Sequence, residues 1–546
     1  MLDALCHPAT TRPRFGVADF ESATFDSTVD FRSAAFEGDA SFGSAIFNGH
    51  AWFGEATFNG RAWFNKAAFQ AMVGLDGAVF KGDADFPFVT FADIAGFTHV
   101  TFERTATFQD AIFQKAAFYY STFEGDVSFL WALFEQSAGF GEVTFKGEAC
   151  FIGATFKDAL FRSATFQGEV SFKEAVFERT VRFGPVVCAG LLTLSEALFG
   201  GPVTLAIAAR RLECQRTRWS STAELRLRYA TVNFAQAVFE YPLIIATEAG
   251  PFRLSSGQPM AEDALAATPD AGVRMASLRG VDAAHLVLSD VDLSGCLFTG
   301  TVHLDQVRLE GACTFGEVPP RTHWRHWRPV RFTQRRTVAE EQHWRASQPM
   351  AVRGWNTAVL GAGQVGPAQL APVYRALRKA FEDSKNEPGA ADFYYGEMEM
   401  RRHNRTDTTH AERGLLHGYW MLSGYGLRAS RALGWLAAAM LVTIMLLMGF
   451  GLPKETPKQE ATGTVPSGGG RVTFEMGKAD PQNPTGNRYT SRRFEKALNV
   501  TLNSVVFRSS GQDLTTAGTY IEMLSRVTEP ILLGLAVLAV RNRVKR

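Results

Sequence analysis

Three ionisable residues near the C-terminus, Glu522, Arg526 and Glu529, stand at i, i+4 and i+7 within a mostly apolar run. On a helix that spacing puts them on one face, where they pair with each other or line a wet interior. They are the candidate pore or interhelical polar face. Glu397 and Glu399 have the residue type for paired acid–base work but not the geometry. At i, i+2 on a helix they face apart, and Arg401 or Arg402 is the better partner for either. His323 and His326 have an i, i+3 spacing that suits a metal, yet no further ligand type stands at a matching distance. Six cysteines (Cys6, Cys150, Cys188, Cys214, Cys296, Cys313) include no C-x-x-C and imply no disulfide framework. There is no P-loop, no dinucleotide fingerprint on a strand-to-helix turn, no H-E-x-x-H and no nucleophile motif in a supportive context. Gly361-Ala362-Gly363 is isolated and reads as loop. The chain is therefore expected to be non-enzymatic, with no catalytic residue, cofactor or metal.

Most of the chain is given to a ladder of phenylalanines. From Phe15 to Phe183 there are 32 rungs, spaced five or six residues apart, and only Leu75 replaces a ring. Phe25, Phe36, Phe47, Phe58, Phe69, Phe80, Phe91 and Phe102 belong to it and are predicted core. Two residues before nearly every rung sits a small apolar residue, as in Ala23, Val29, Ala34 and Ala40. Neither a helix period of 3.6 nor a strand period of 2 gives this spacing, whereas a solenoid does. Each short segment points one large and one small side chain inward and then turns a corner. Four segments make a coil of about 22 residues, stacked about 4.8 Å apart, so this stretch predicts a rod on the order of 35 Å long. Where the interval is six, a glycine usually follows the ring, as in Phe58-Asn59-Gly60 and Phe80-Lys81-Gly82. Those glycines are expected at corners that need positive φ.

The A-x-F-x-x pattern of Ala23-Thr24-Phe25 and Ala56-Thr57-Phe58 resembles the pentapeptide-repeat family. The resemblance implies a β-solenoid, specifically a right-handed quadrilateral β-helix, that works as a binding or scaffold module without a shared catalytic motif. Some members bind DNA gyrase by imitating DNA. The ladder carries 22 Asp or Glu against 12 Lys or Arg, a net of −10, although the whole chain is near neutral. A DNA-mimic regulator of a topoisomerase is thus an alternative reading. Spread over seven or so coils, however, this charge is sparse beside a duplex with one charge per ~1.7 Å.

Taken in order, residues 15–245 read as the repeat solenoid and 246–272, rich in Ala, Pro, Ser and Gly, as an insertion loop. Residues 273–318 read as a second short repeat block. Residues 319–370 interleave Arg, His and Trp, as a cap for the last open coil or a linker. Residues 371–405 read as a helical hairpin. The segment Y-x-x-L-R-x-x-F-E followed by F-Y-x-x-E-M-x-x-R-R resembles one that some bacterial pentapeptide-repeat proteins place before a membrane module. Residues 410–546 read as that module, a two-helix transmembrane unit with spans near 432–452 and 521–540. The first span has 21 uncharged residues, enough for a hydrocarbon core of ~30 Å. Trp420, Arg428, Arg431, Trp435, Arg541 and Arg543 suit the membrane interface, and the flanking arginines place both termini in the cytoplasm. No signal peptide is expected, since the N-terminus lacks an apolar segment.

Span, short helix, span loosely resembles the pore of two-transmembrane channels. Yet Val506-Phe507-Arg508-Ser509-Ser510-Gly511 is no carbonyl-lined potassium filter. The expected role is a scaffold or sensor tethered at the cell membrane, whose module can oligomerise into a channel-like pore. Its expected partners are a protein on the solenoid faces, the bilayer and further copies of itself, with no nucleic acid.

Overall fold

The structure is a computed structural model that describes residues 13–544 apart from 180, 255, 267–269, 321–322, 326–327, 331, 350, 356–360, 362, 364, 455–458, 464–467, 469–473, 479, 507 and 509–510. The chain forms two compact units, Met1–Lys385 and Asn386–Arg546.

The first unit is a β-solenoid of about 13 turns. Its strands are mostly two residues long, because only two residues separate the inward positions from the next corner. Thr57–Phe58 pairs in parallel with Ala35–Phe36 below and Val79–Phe80 above, so the coil closes every 22 residues. Later coils shorten to 21, as in Phe102 over Phe123, and to 20, as in Phe199 over Trp219. Identical side chains therefore stack. Phe36, Phe58, Phe80 and Phe102 form one column with centroids 4.6, 4.6 and 4.9 Å apart and planes within 8°. Neighbouring columns meet edge to face, as Phe53 and Phe64 do at 5.9 Å and 89°. Each ring so satisfies both favoured aromatic geometries at once. The predicted core rings from Phe36 to Phe102 are buried, while Phe25, in the first coil, is half-buried.

The glycines differ from expectation. Gly38, Gly60 and Gly82 are not in the left-handed region. That conformation falls two residues after the rings that open five-residue intervals, at Ser22, Ser33, Ser44, Glu55 and Lys66 (φ 54–59°). The glycines are there because stacked coils approach too closely for a side chain: a Cβ on Gly82 would lie 2.3 Å from the Gly60 carbonyl oxygen. Backbone cannot swing aside as a flexible side chain does. Gly82→Ala is expected to cost roughly 1–3 kcal/mol, read as a lower thermal midpoint of the full chain in detergent.

The ladder does not break at the insertion. Arg274 and Met275 sit directly on Thr231 and Val232, and Leu286 on Leu243, so the coil resumes where it left off. Part of the insertion packs back on the coils. Phe252, Met260 and Leu265 pack on Val187 and Ala208, and Glu262 forms a buried 3.0 Å ion pair with Arg228.

A short helix, α1 (Ala339–Ala346), closes the far end. Glu340 Oε1 accepts hydrogen bonds from the Phe298 and Thr299 amides at 2.6 and 2.9 Å, donors that the next coil would otherwise satisfy. Ala339 packs on Leu297. Beside it Glu341 joins Arg335 at 2.5 Å and Arg345 at 2.6 Å, and accepts from the Tyr374 hydroxyl. Tyr374 belongs to α2 (Pro367–Asp383), whose Phe381 meets Phe315 at 5.8 Å and whose Lys379 pairs with Asp305. Of the tryptophans expected to cover this end, Trp344 lies on α1, while Trp324 and Trp327 carry no described side chain.

The second unit is helical: α3 (Glu387–His403), α4 (His410–Ser423), α5 (Ala429–Leu446) with a π turn over Leu447–Gly451, α6 (Ser491–Val505) and α7 (Thr516–Val544). Asn386 caps α3 by accepting from Gly389 N, and Thr409 caps α4 from Glu412 N, so both starts are written locally. The two helices expected as a hairpin, α2 and α3, fall on either side of the unit boundary.

Candidate functional site

On the solenoid, attention goes to corners that carry large rings. Phe88, Tyr120 and Trp131 all adopt φ of 56–60° and are about half exposed (50–53%). A bulky residue in the left-handed region costs on the order of 1–3 kcal/mol, and most other coils place a polar residue such as Ser, Glu or Lys there. Tyr120 stacks on His99 at 5.0 Å and 12°. These rings fill no core, so they are candidates for recognition. The sequence held a signal that the ladder masked: each is an aromatic two residues past a rung. Elsewhere the exterior is knitted by ion pairs between successive coils, including Arg61–Asp85 at 2.5 Å, Lys146–Glu124 at 2.8 Å and Arg218–Glu240 at 2.7 Å. Acidic charge is thereby partly neutralised along the columns. Buried thiols add no reactivity: Cys188, Cys214 and Cys296 are fully covered, and burial pushes Cys188 up to about 12.

In the second unit the start of α5 is an aromatic and basic cluster. The guanidinium groups of Arg402 and Arg431 both lie over the Trp420 ring, at 4.5 and 5.2 Å from its centroid, and its indole N–H donates to the Tyr395 hydroxyl at 3.1 Å. Arg431 also donates to the Trp420 carbonyl, and Trp435 to that of Met421. Arg428 caps α5. Arg541 is exposed near the end of α7, whereas the side chain of Arg543 lies outside the described residues. Glu399 pairs with Arg402 at 3.0 Å and accepts from Tyr425 at 3.1 Å, so it is structural rather than half of an acid–base pair.

Glu522 and Glu529 are buried and Arg526 is half-buried. Glu529 Oε1 accepts from the Thr443 hydroxyl on α5 at 2.9 Å, and its Oε2 is buried without a hydrogen-bond partner. Of the three residues, Glu529 is thus held across helices by a threonine. A half-satisfied buried carboxylate is costly. Glu529→Leu is expected to raise the thermal midpoint, by about 1–2 kcal/mol in stability, and Glu529→Gln to fall between. His323 lies in a two-stranded hairpin, His326 lies outside the described residues, and no metal cluster occurs among the described residues.

Residues 20–68 and 151–198 match the family described as pentapeptide repeats, in nine copies. The solenoid carries pentapeptide repeats. No curated protein and no solved structure matched the chain. The two matched segments bracket coils whose rings stack as theirs do, and parallel pairing continues to Arg308–Glu310. The pentapeptide-repeat architecture therefore extends well past its best-patterned sequence, with leucine and cysteine replacing phenylalanine in the columns. Pentapeptide-repeat solenoids are generally structural or binding proteins.

Proposed function

We propose that this chain is a membrane-anchored pentapeptide-repeat scaffold or sensor, with its solenoid in the cytoplasm and its two long apolar helices spanning the bilayer. The carrying observation is where those helices put their apolar side chains. Ala429–Gly451 and Thr516–Arg541 are long and apolar enough to cross, with only 33% and 28% of their most apolar stretches buried. Leu441, Val442, Met445, Val527, Ile531 and Val537 are each more than half exposed. A helix at the core of a soluble protein buries such residues, and lipid is the solvent that suits them. The half-exposed corner rings support a protein partner on the solenoid, since aromatic side chains are over-represented where partners bind. The columns of paired charge weigh against a topoisomerase-directed DNA mimic.

Flotation after carbonate washing tests the anchor. Full-length protein is expected with the vesicles and a chain ending at residue 408 in the soluble fraction. Recovery of both in the soluble fraction would reject it. A channel-like oligomer is the second reading, favoured by α6, whose Ala497 and Val500 pack on Ile444, Leu447 and Met448 between the spans. Native mass measurement in detergent separates a ring of copies from a monomer.

A further inference from the structure

Beyond the anchoring helices, the second unit contains a cleft of about 1240 Å³ where the chain leaves the first apolar helix and α6 begins. Its charged lining is Lys454, Arg492, Arg493 and Lys496 against one carboxylate, Asp513. Arg493 is committed to holding the cleft's wall. Its Nη2 donates to the carbonyl oxygens of Met448 and Leu452, both at 2.8 Å, and its Nη1 to that of Pro453 at 3.1 Å. Those bonds satisfy the carbonyls left open where the helix ends, and they fix α6 beside it. Burial, and then the charge of Arg488, pull Arg493 below its ordinary range.

Lys454, Arg492 and Lys496 are left over. None makes an ion pair with a described residue. Cations gathered around one cavity and left unpaired repel each other, and an anion placed among them gains charge-assisted hydrogen bonds. The volume far exceeds one inorganic phosphate and is of the size that holds a small organic ligand or a lipid headgroup. We infer that this cleft binds a phosphate-bearing anion, with Lys454, Arg492 and Lys496 as its ligands. The same phosphate chemistry can arrive as a free ion or as the headgroup of an anionic phospholipid.

The experiment uses the full chain in a neutral maltoside detergent. One arm titrates inorganic phosphate against chloride at matched ionic strength and reads the thermal midpoint. The other measures by native mass spectrometry whether phosphatidylglycerol is retained over phosphatidylcholine. The double variant Arg492→Gln with Lys496→Gln is expected to weaken whichever anion binds by about tenfold or more, given that charge-assisted bonds are the strong ones. Lys66→Gln, on a solenoid corner of the first unit and not in the cleft's lining, is expected to change nothing. Lys454→Gln lies outside α6 and carries the test if the double variant does not fold. Saturable stabilisation by phosphate that the variants lose assigns a free anion. Selective phosphatidylglycerol retention that they lose assigns a headgroup. No preference in either arm, or a preference that survives the variants, overturns the inference. Flotation does not depend on this cleft, so the inference can fail while the anchor stands.

Discussion

Phe58→Ala is expected to destabilise the solenoid by roughly 3–5 kcal/mol, the range for deleting a buried ring. Phe58 is 1% exposed and stacks on Phe36 and Phe80 at 4.6 Å on both sides, with planes 4° and 1° apart. Phe64 meets its edge at 6.2 Å and 74°. The hole cannot close cheaply, because the flanking backbone is pinned: Asn59 N donates to Phe36 O at 2.9 Å and Lys81 N to Phe58 O at 2.8 Å. Closing the column would pull the strands out of register. Phe58→Leu should cost far less, about 1 kcal/mol, since it keeps most of the volume and Leu75 already occupies a rung in full burial. Hydrogen exchange on the full chain in detergent checks both variants. With alanine, protection should fall first in the coils around residues 36–80, because each coil contacts only its neighbours. A uniform loss along the solenoid, or none, would contradict the column picture.

The solenoid was legible because its contacts repeat. Phe36, Phe58 and Phe80 occupy equivalent positions, so a period in the sequence is a contact in space. The identity of the small inward residue, Ala or Val, adds a second signal in the same phase. Other features need distances that a period does not carry. Gly60 and Gly82 read as turn-makers, and only the approach of stacked backbones shows them to be spacers. Glu340 stands within an ordinary acidic run of α1, and nothing local indicates that its carboxylate ends the strand ladder at Phe298. Phe88 and Trp131 were hidden by the rungs beside them. In the second unit the helical period placed Glu522 and Glu529 on one face, but Thr443, 86 residues away from Glu529, could not be found from spacing. Motif and period identify which groups share a face; the partner across a helix pair is set by packing.

Arg335→Met should cost about 3 kcal/mol, the low end of the range for breaking a buried ion pair, because it takes one of two guanidinium groups from a carboxylate that water cannot reach and leaves it only Arg345 and the Tyr374 hydroxyl. Arg335 and Glu341 have side chains 3% and 0% exposed, and the Tyr374 hydroxyl bridges them while accepting from Val338 N at 3.1 Å. This network ties α1 and α2 together beside the last coil. The double variant Arg335→Met with Glu341→Leu should cost less than Arg335→Met alone, since it removes the buried carboxylate as well, and Arg345 is near enough to the surface to find water. Burial by itself would raise the Glu341 carboxyl, but the charges of Arg335 and Arg345 and the hydrogen bond from Tyr374 prevail and hold it at about 2 against an ordinary 4.5. Its contribution is therefore complete above about pH 4.5 and is lost as the pH falls through about 2, a difference of roughly 3 kcal/mol. Thermal unfolding of the full chain in detergent, repeated from pH 6 down to pH 2, should show wild type losing stability across that window. In the double variant this component should be absent, because the group that titrates there is gone. If wild type and double variant instead fall in parallel, acid acts through carboxylates elsewhere, and the paired charges at the cap are a packing element alone.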